Sequence, residues 1–130
     1  MATVPAPLRF SIDHWAAFWS HPHPDLAVRM VTPDVIAYWP GQTEPARGVR
    51  SYRARVAQLL ERAPNLRLDV VDHAYSDDDL LFVHWVAHGG DERRTVHGVD
   101  RIRLRDGRIK EIRAFYDPAR FASLVDGSLR

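Results

Sequence analysis

Apolar residues recur at helical spacing through the first half of this chain and at alternate positions through the second. Ile12, Trp15, Phe18 and Trp19 fall on one helical face behind Ser11, a residue type that caps helix N-termini. The stretch His21–Pro22–His23–Pro24 ends that helix, and Asp25 is placed to cap a short second one through Met30. Pro33–Asp34 predicts a turn, then a short strand from Val35 to Trp39 that Pro40–Gly41 ends. Val49, Tyr52, Val56, Leu59 and Leu60 make an amphipathic third helix that stops near Pro64.

The second half reads as strands. Leu66 to Ala74 alternates, and Ser76–Asp77–Asp78–Asp79 is a turn. Leu80 to His88 is almost continuously apolar, which predicts a strand buried on both faces. Gly89–Gly90–Asp91 turns the chain back. Strands Arg94 to Leu104 and Arg108 to Tyr116 follow, joined by a tight Asp106–Gly107 turn. Asp117 and Pro118 supply the cap and first residue of a C-terminal helix. Helices first and antiparallel strands after is an α+β pattern, and a strongly curved sheet can wrap the helices and leave a cavity between the layers. Residues 1–7 read as a flexible tail and 8–130 as a single domain.

One position breaks the alternation in an informative way. Val96, Gly98, Asp100, Ile102 and Leu104 share the apolar face of their strand, while Arg101, Arg103 and Arg105 share the other. A carboxyl among core residues is costly unless something justifies it, so Asp100 is the leading site candidate. The bland alternative is a bond to a backbone amide or an ion pair with a neighbour such as Arg113.

Composition narrows the chemistry. The 130 residues suffice for one core, and 45% are hydrophobic. A net charge of +1 gives no field that would gather nucleic acid, and the row of arginines on one strand reads as a solvated or subunit-facing face. The absence of cysteine excludes disulfides, thiolate catalysis and zinc–thiolate sites. No apolar run is long enough for a membrane span, and the N-terminus lacks the apolar core of a signal peptide, so a cytoplasmic location is expected. The seven histidines show no metal-ligand spacing, and no phosphate-binding glycine loop or nucleophile elbow is present. Neither a metal nor a cofactor is expected.

The segments TPDVIAYWPG (Thr32 to Gly41), GVDRIRLRDGRI (Gly98 to Ile109) and RAFYDPARF (Arg113 to Phe121) resemble the nuclear transport factor 2-like superfamily. The flavour is that of SnoaL-like polyketide cyclases, ketosteroid isomerases and limonene epoxide hydrolases. The resemblance covers nearly the whole chain and implies a cone-shaped curved antiparallel sheet wrapped around N-terminal helices. Function follows less directly, because this scaffold hosts enzymes and binding modules alike. Asp100 matches the oxyanion aspartic acid of the isomerases and the acid/base aspartate of the cyclases. The isomerases' proton-moving aspartate would fall at Trp39 and their tyrosine near Trp15. The hydrolases' Asp–Arg–Asp set would fall at Ala87, Trp85 and Ala114, none of which can replace it. His88 is a candidate for the cyclases' histidine, but strand parity directs it and His84 away from the cavity.

The resemblance puts Val83, Trp85 and Ala87 on the cavity face of one strand, and Ile112, Ala114 and Tyr116 on that of another. With Trp15 and Trp39 these are the expected substrate-binding residues around a catalytic Asp100 and a second donor, Tyr116. Trp19 is expected in the core, and only one of Tyr38 and Trp39 can face inward. The expected function is acid/base-assisted isomerisation, cyclisation or hydration of a small apolar or aromatic metabolite in a closed aromatic pocket. Two other classes stay open: a non-catalytic binder of an aromatic or cationic ligand, and a dimerisation module. Homodimerisation through the sheet is expected, because His84, Val86, Val99 and Phe115 leave apolar surface on the outer face.

Overall fold

A computed structural model describes residues 6–89 and 94–127. The helices are α1 (Ile12–Ser20), α2 (Pro24–Ala27), α3 (Gly48–Arg62) and α4 (Pro118–Gly127). The strands are β1 (Val31–Tyr38), β2 (Ala46–Arg47), β3 (Arg67–Asp77), β4 (Leu80–His88), β5 (Thr95–Arg105) and β6 (Arg108–Phe115). They form one six-stranded sheet in the order β2-β1-β6-β5-β4-β3. The sheet is curved and unclosed, and the helices pack on its concave side, as the α+β expectation required. One pair departs from the antiparallel run: β1 lies parallel to β6.

Local chemistry sets most boundaries. The Ser11 side chain accepts from the His14 amide at 3.0 Å and starts α1. Asp106 and Gly107 take φ of 54° and 79°, the paired positive values that a two-residue hairpin turn demands. Asp117 caps α4, its Oδ1 accepting from Ala119 and Arg120 amides at 2.9 and 3.2 Å.

Several sequence expectations are corrected. The cap of α2 is His23, whose Nδ1 accepts from the Asp25 amide at 3.1 Å, with Pro24 as the first helical residue. Pro33–Asp34 lies inside β1, where the register with β6 shifts between Val31 and Ile36, and not in a turn before it. Proline is tolerated there because β2 pairs only with Ile36 and Ala37, which leaves the Pro33 edge without a strand neighbour. Asp34 is clasped instead by Arg105, at 3.1 and 2.5 Å, and by the Thr32 hydroxyl at 2.8 Å. β4 is buried on one face only. Leu81, Val83, Trp85 and Ala87 point into the core, while Phe82 is 38% exposed on the other side.

Residues 1–5 of the expected tail, Gly90–Asp91 of the expected turn and the last three residues lie outside the described residues. The Ala6 carbonyl accepts from Arg29 Nε at 3.1 Å. No helix among the described residues is long and apolar enough to cross a membrane.

Candidate active site

The site is built on the concave face of β5. Alternation sends Val96, Gly98, Asp100 and Ile102 inward. Gly98 sits opposite Trp85 of β4. A Cβ at position 98 would lie 2.2 Å from Trp85 Cζ2, so only glycine lets the indole lie across β5. That places the Trp85 ring beside Asp100, which follows Gly98 on the same face.

The cavity between sheet and helices measures about 410 Å³ and is lined from seven elements. Trp15 and Trp19 enter from α1, Tyr52, Val56 and Leu59 from α3, and Phe121 and Val125 from α4. The sheet supplies Leu68, Trp85, Asp100, Ile112 and Ala114. Trp39 and Tyr116 stand at the ends of their strands. Trp39 stacks on Tyr52, rings 6.1 Å apart and 4° from parallel. Trp85, Tyr116 and Phe121 form a second aromatic group, with Tyr116 and Phe121 centroids 4.6 Å apart. Solvent reaches the cavity past the exposed side chains of Gln42, Gln58 and Arg62, so the pocket is open at one rim and not closed.

Asp100 is 5% exposed. Among the described residues no cation pairs with it; Arg113 instead lays its guanidinium on the Tyr38 ring at 3.9 Å. Burial pushes the Asp100 carboxyl up from 3.8 to about 7, because the charged form loses its hydration. The Trp85 indole is near enough to favour the anion, and this only partly offsets burial; its Nε1 makes no formed hydrogen bond. The Trp19 Nε1 is likewise buried without a partner. Burial first, and the Asp100 charge second, raise the Tyr116 phenol to about 12 and hold the Tyr52 phenol well above its usual range. Both phenols therefore stay protonated, as donors within electrostatic reach of the acid.

The expected residues separate into groups. Asp100, Tyr116, Trp15, Trp39, Trp85, Ile112 and Ala114 meet at the cavity. Val83 and Ala87 share its side of the sheet but are fully buried in the core and do not line it, a correction to the expected set. Trp19 belongs to the buried core cluster, as expected, and also lines the cavity. Tyr52 was readable only as one more apolar position on a helix. His88 faces away and holds Asp69, Nε2 to Oδ2 2.8 Å. Among the described residues no three His, Asp or Glu side chains are placed to hold a metal ion.

Helices packed on a curved, unclosed, mostly antiparallel sheet make the α+β fold of the nuclear transport factor 2-like proteins. Within them, the family profile of the SnoaL-like domain matches residues 12–112, and the chain belongs to that family. No curated protein matches it. Among solved structures, a protein with a ketosteroid isomerase-like fold from Catenulispora acidiphila, in complex with trimethylamine, is 15% identical with a TM-score of 0.74 over 88% of this chain and 90% of that one. TerC co-crystallised with polyporic acid is 18% identical, TM-score 0.74, over 88% and 95%. A candidate SnoaL-like polyketide cyclase from Jannaschia sp. CCS1 is 17% identical, TM-score 0.72, over 88% and 90%.

Proposed function

We propose that the chain is a cofactor-independent acid/base enzyme that isomerises, cyclises or hydrates a small apolar or aromatic metabolite. One observation carries this reading: a carboxyl with no ion-pair partner among the described residues is buried in the wall of an aromatic cavity and titrates near neutrality. A group half protonated near pH 7 can both take and return a proton, which suits general acid–base work. In an isomerisation the Asp100 carboxylate takes a proton from carbon next to a carbonyl. The Tyr116 phenol donates a hydrogen bond to the developing enolate oxygen. Asp100 then returns the proton to a different carbon, and every atom is accounted for. Trp15, Trp39, Trp85, Ile112 and Ala114 hold the apolar body of the substrate.

The cation-binding alternative is less favoured. It needs a fully ionised Asp100, and Arg55 and Arg62 bring two positive charges to the same cavity. Trimethylamine and polyporic acid are ligands of their own proteins, and they support only the view that this scaffold admits both kinds of guest.

The proposal extends to a cytoplasmic homodimer joined through the outer sheet face. That face carries Phe115, 50% exposed, and Phe82, with Val86 and Val99 half-buried on the same face.

Proton exchange tests the chemistry without the natural substrate. In D2O, 2-tetralone should exchange its α-protons faster with the protein than in buffer, and the rate should rise with a midpoint near pH 7. Asp100→Asn should abolish the acceleration, and Tyr116→Phe should reduce it roughly tenfold or more. Equal acceleration by wild type and Asp100→Asn would reject the proposal.

A further inference from the structure

We infer that the cavity selects an aromatic guest carrying a carboxylate, and that Arg55 at the rim holds that group. The inference rests on the cavity reading above and adds the substrate class.

The charges on the cavity wall are unevenly compensated. Asp100, at the buried floor, is its one acidic residue among the described residues. Two arginines on α3 line the opposite side. Arg62 is paired, its Nη2 lying 3.4 Å from Asp126 Oδ1. Arg55 is not: its Nη1 donates to Gln42 Oε1 at 3.2 Å and its Nη2 to the Glu44 carbonyl at 3.2 Å, both neutral acceptors. No carboxylate among the described residues lies within ion-pair distance of Arg55. The two neutral contacts fix the plane of the guanidinium while leaving donors and the full positive charge for another group.

Position gives the charge a purpose. Arg55 lies over the Trp39 ring at 5.9 Å, and Trp39 in turn stacks on Tyr52. A flat guest entering along these rings passes under the guanidinium. A carboxylate at its trailing end meets a planar donor fork, the geometry arginine offers such groups. The leading end reaches the Tyr116 phenol, a hydrogen-bond donor on the cavity wall. An oxygen acceptor at that end of the guest complements it. Separating the anionic end from Asp100 also keeps two carboxylates from facing each other across the cavity.

Three probes of one shape test this: 2-naphthoate, its methyl ester and 2-naphthylmethylammonium, titrated by tryptophan fluorescence at pH 7.5. The naphthoate should bind roughly tenfold tighter than the ester, with the ammonium weakest. Arg55→Gln should bring naphthoate and ester to equal affinity while leaving the ester within about twofold of wild type. Arg55→Lys, which keeps the charge, should restore part of the preference and guards against a variant that loses its fold. Arg62→Gln, whose charge is already offset, should change the preference little. Equal affinity for acid and ester in the wild type, a preference that survives Arg55→Gln, or tighter binding of the ammonium would each overturn this inference and leave the acid/base proposal standing. Failure of all three probes to bind at millimolar concentration would overturn both.

Discussion

Replacing Asp100 by asparagine should stabilise the protein, and increasingly so as the pH rises toward 7. In the unfolded chain the carboxyl titrates near 3.8; in the cavity wall burial lifts it to about 7. Between those values the folded state holds a proton that the unfolded state has released, so stability falls as pH rises through that window and is constant above it. Each tenfold change in an ionisation equilibrium is worth about 1.4 kcal/mol, so the full displacement amounts to roughly 4 kcal/mol. Asparagine occupies the same volume and never ionises. The wild type and Asp100→Asn should therefore have similar unfolding free energies near pH 4 and diverge by a few kcal/mol at pH 7.5. Urea denaturation at half-unit pH steps measures both curves. Taking their difference removes Asp25 and Asp34, whose arginine contacts lower their carboxyls and act in the opposite sense. Parallel curves from pH 4 to 8 would refute the reasoning, for they would mean that the folded protein does not penalise the Asp100 charge.

Three further outcomes follow from the packing. Gly98→Ala must drive the Trp85 indole off β5, which should cost about 1–3 kcal/mol in a denaturant titration and blue- or red-shift the tryptophan emission; an unchanged spectrum and stability would mean the close approach is relieved for nothing. Phe115→Glu, placing a charge on the outer sheet face, should convert the proposed dimer to monomer in light-scattering chromatography while leaving the 2-tetralone exchange measurable. Asp34→Asn should lower the melting temperature at pH 7, since the Arg105 clasp favours the carboxylate. The deficit should shrink as pH falls below the ordinary carboxylate value and disappear only once the wild-type group, held well below that value by Arg105, itself protonates.

The sequence carried the sheet well because alternation is a one-dimensional signal. It placed Asp100 among inward residues and the Asp106–Gly107 turn between β5 and β6. It shortened β1 because Pro33–Asp34 reads as a turn when nothing shows that the neighbouring strand is absent there. It left β4 buried on both sides because an apolar run does not say which face the helices cover. The family resemblance placed Val83 and Ala87 on the right side of the sheet, but cavity and core share that side, and which stretch of a strand is left uncovered depends on where the helices end. Tyr52 and Arg55 were hidden for the same reason. A helical stripe of apolar residues looks alike whether it packs on a wall or borders a hollow, and an arginine on its flank looks solvated until the Trp39 ring is found beneath it.

The β5 strand is a single layer of backbone with a different task on each side. Asp100 faces the cavity, while its immediate neighbours Val99 and Arg101 look outward, Val99 beside Phe115 and Arg101 joined to Glu111 at 3.2 Å. Whatever grips the convex surface therefore grips the peptide units that hold the acid, with no intervening layer to absorb a change in twist. A partner bound outside and a guest bound inside would stiffen the same few bonds, so the molecule has a short mechanical route by which assembly can sharpen the aim of the Asp100 carboxyl.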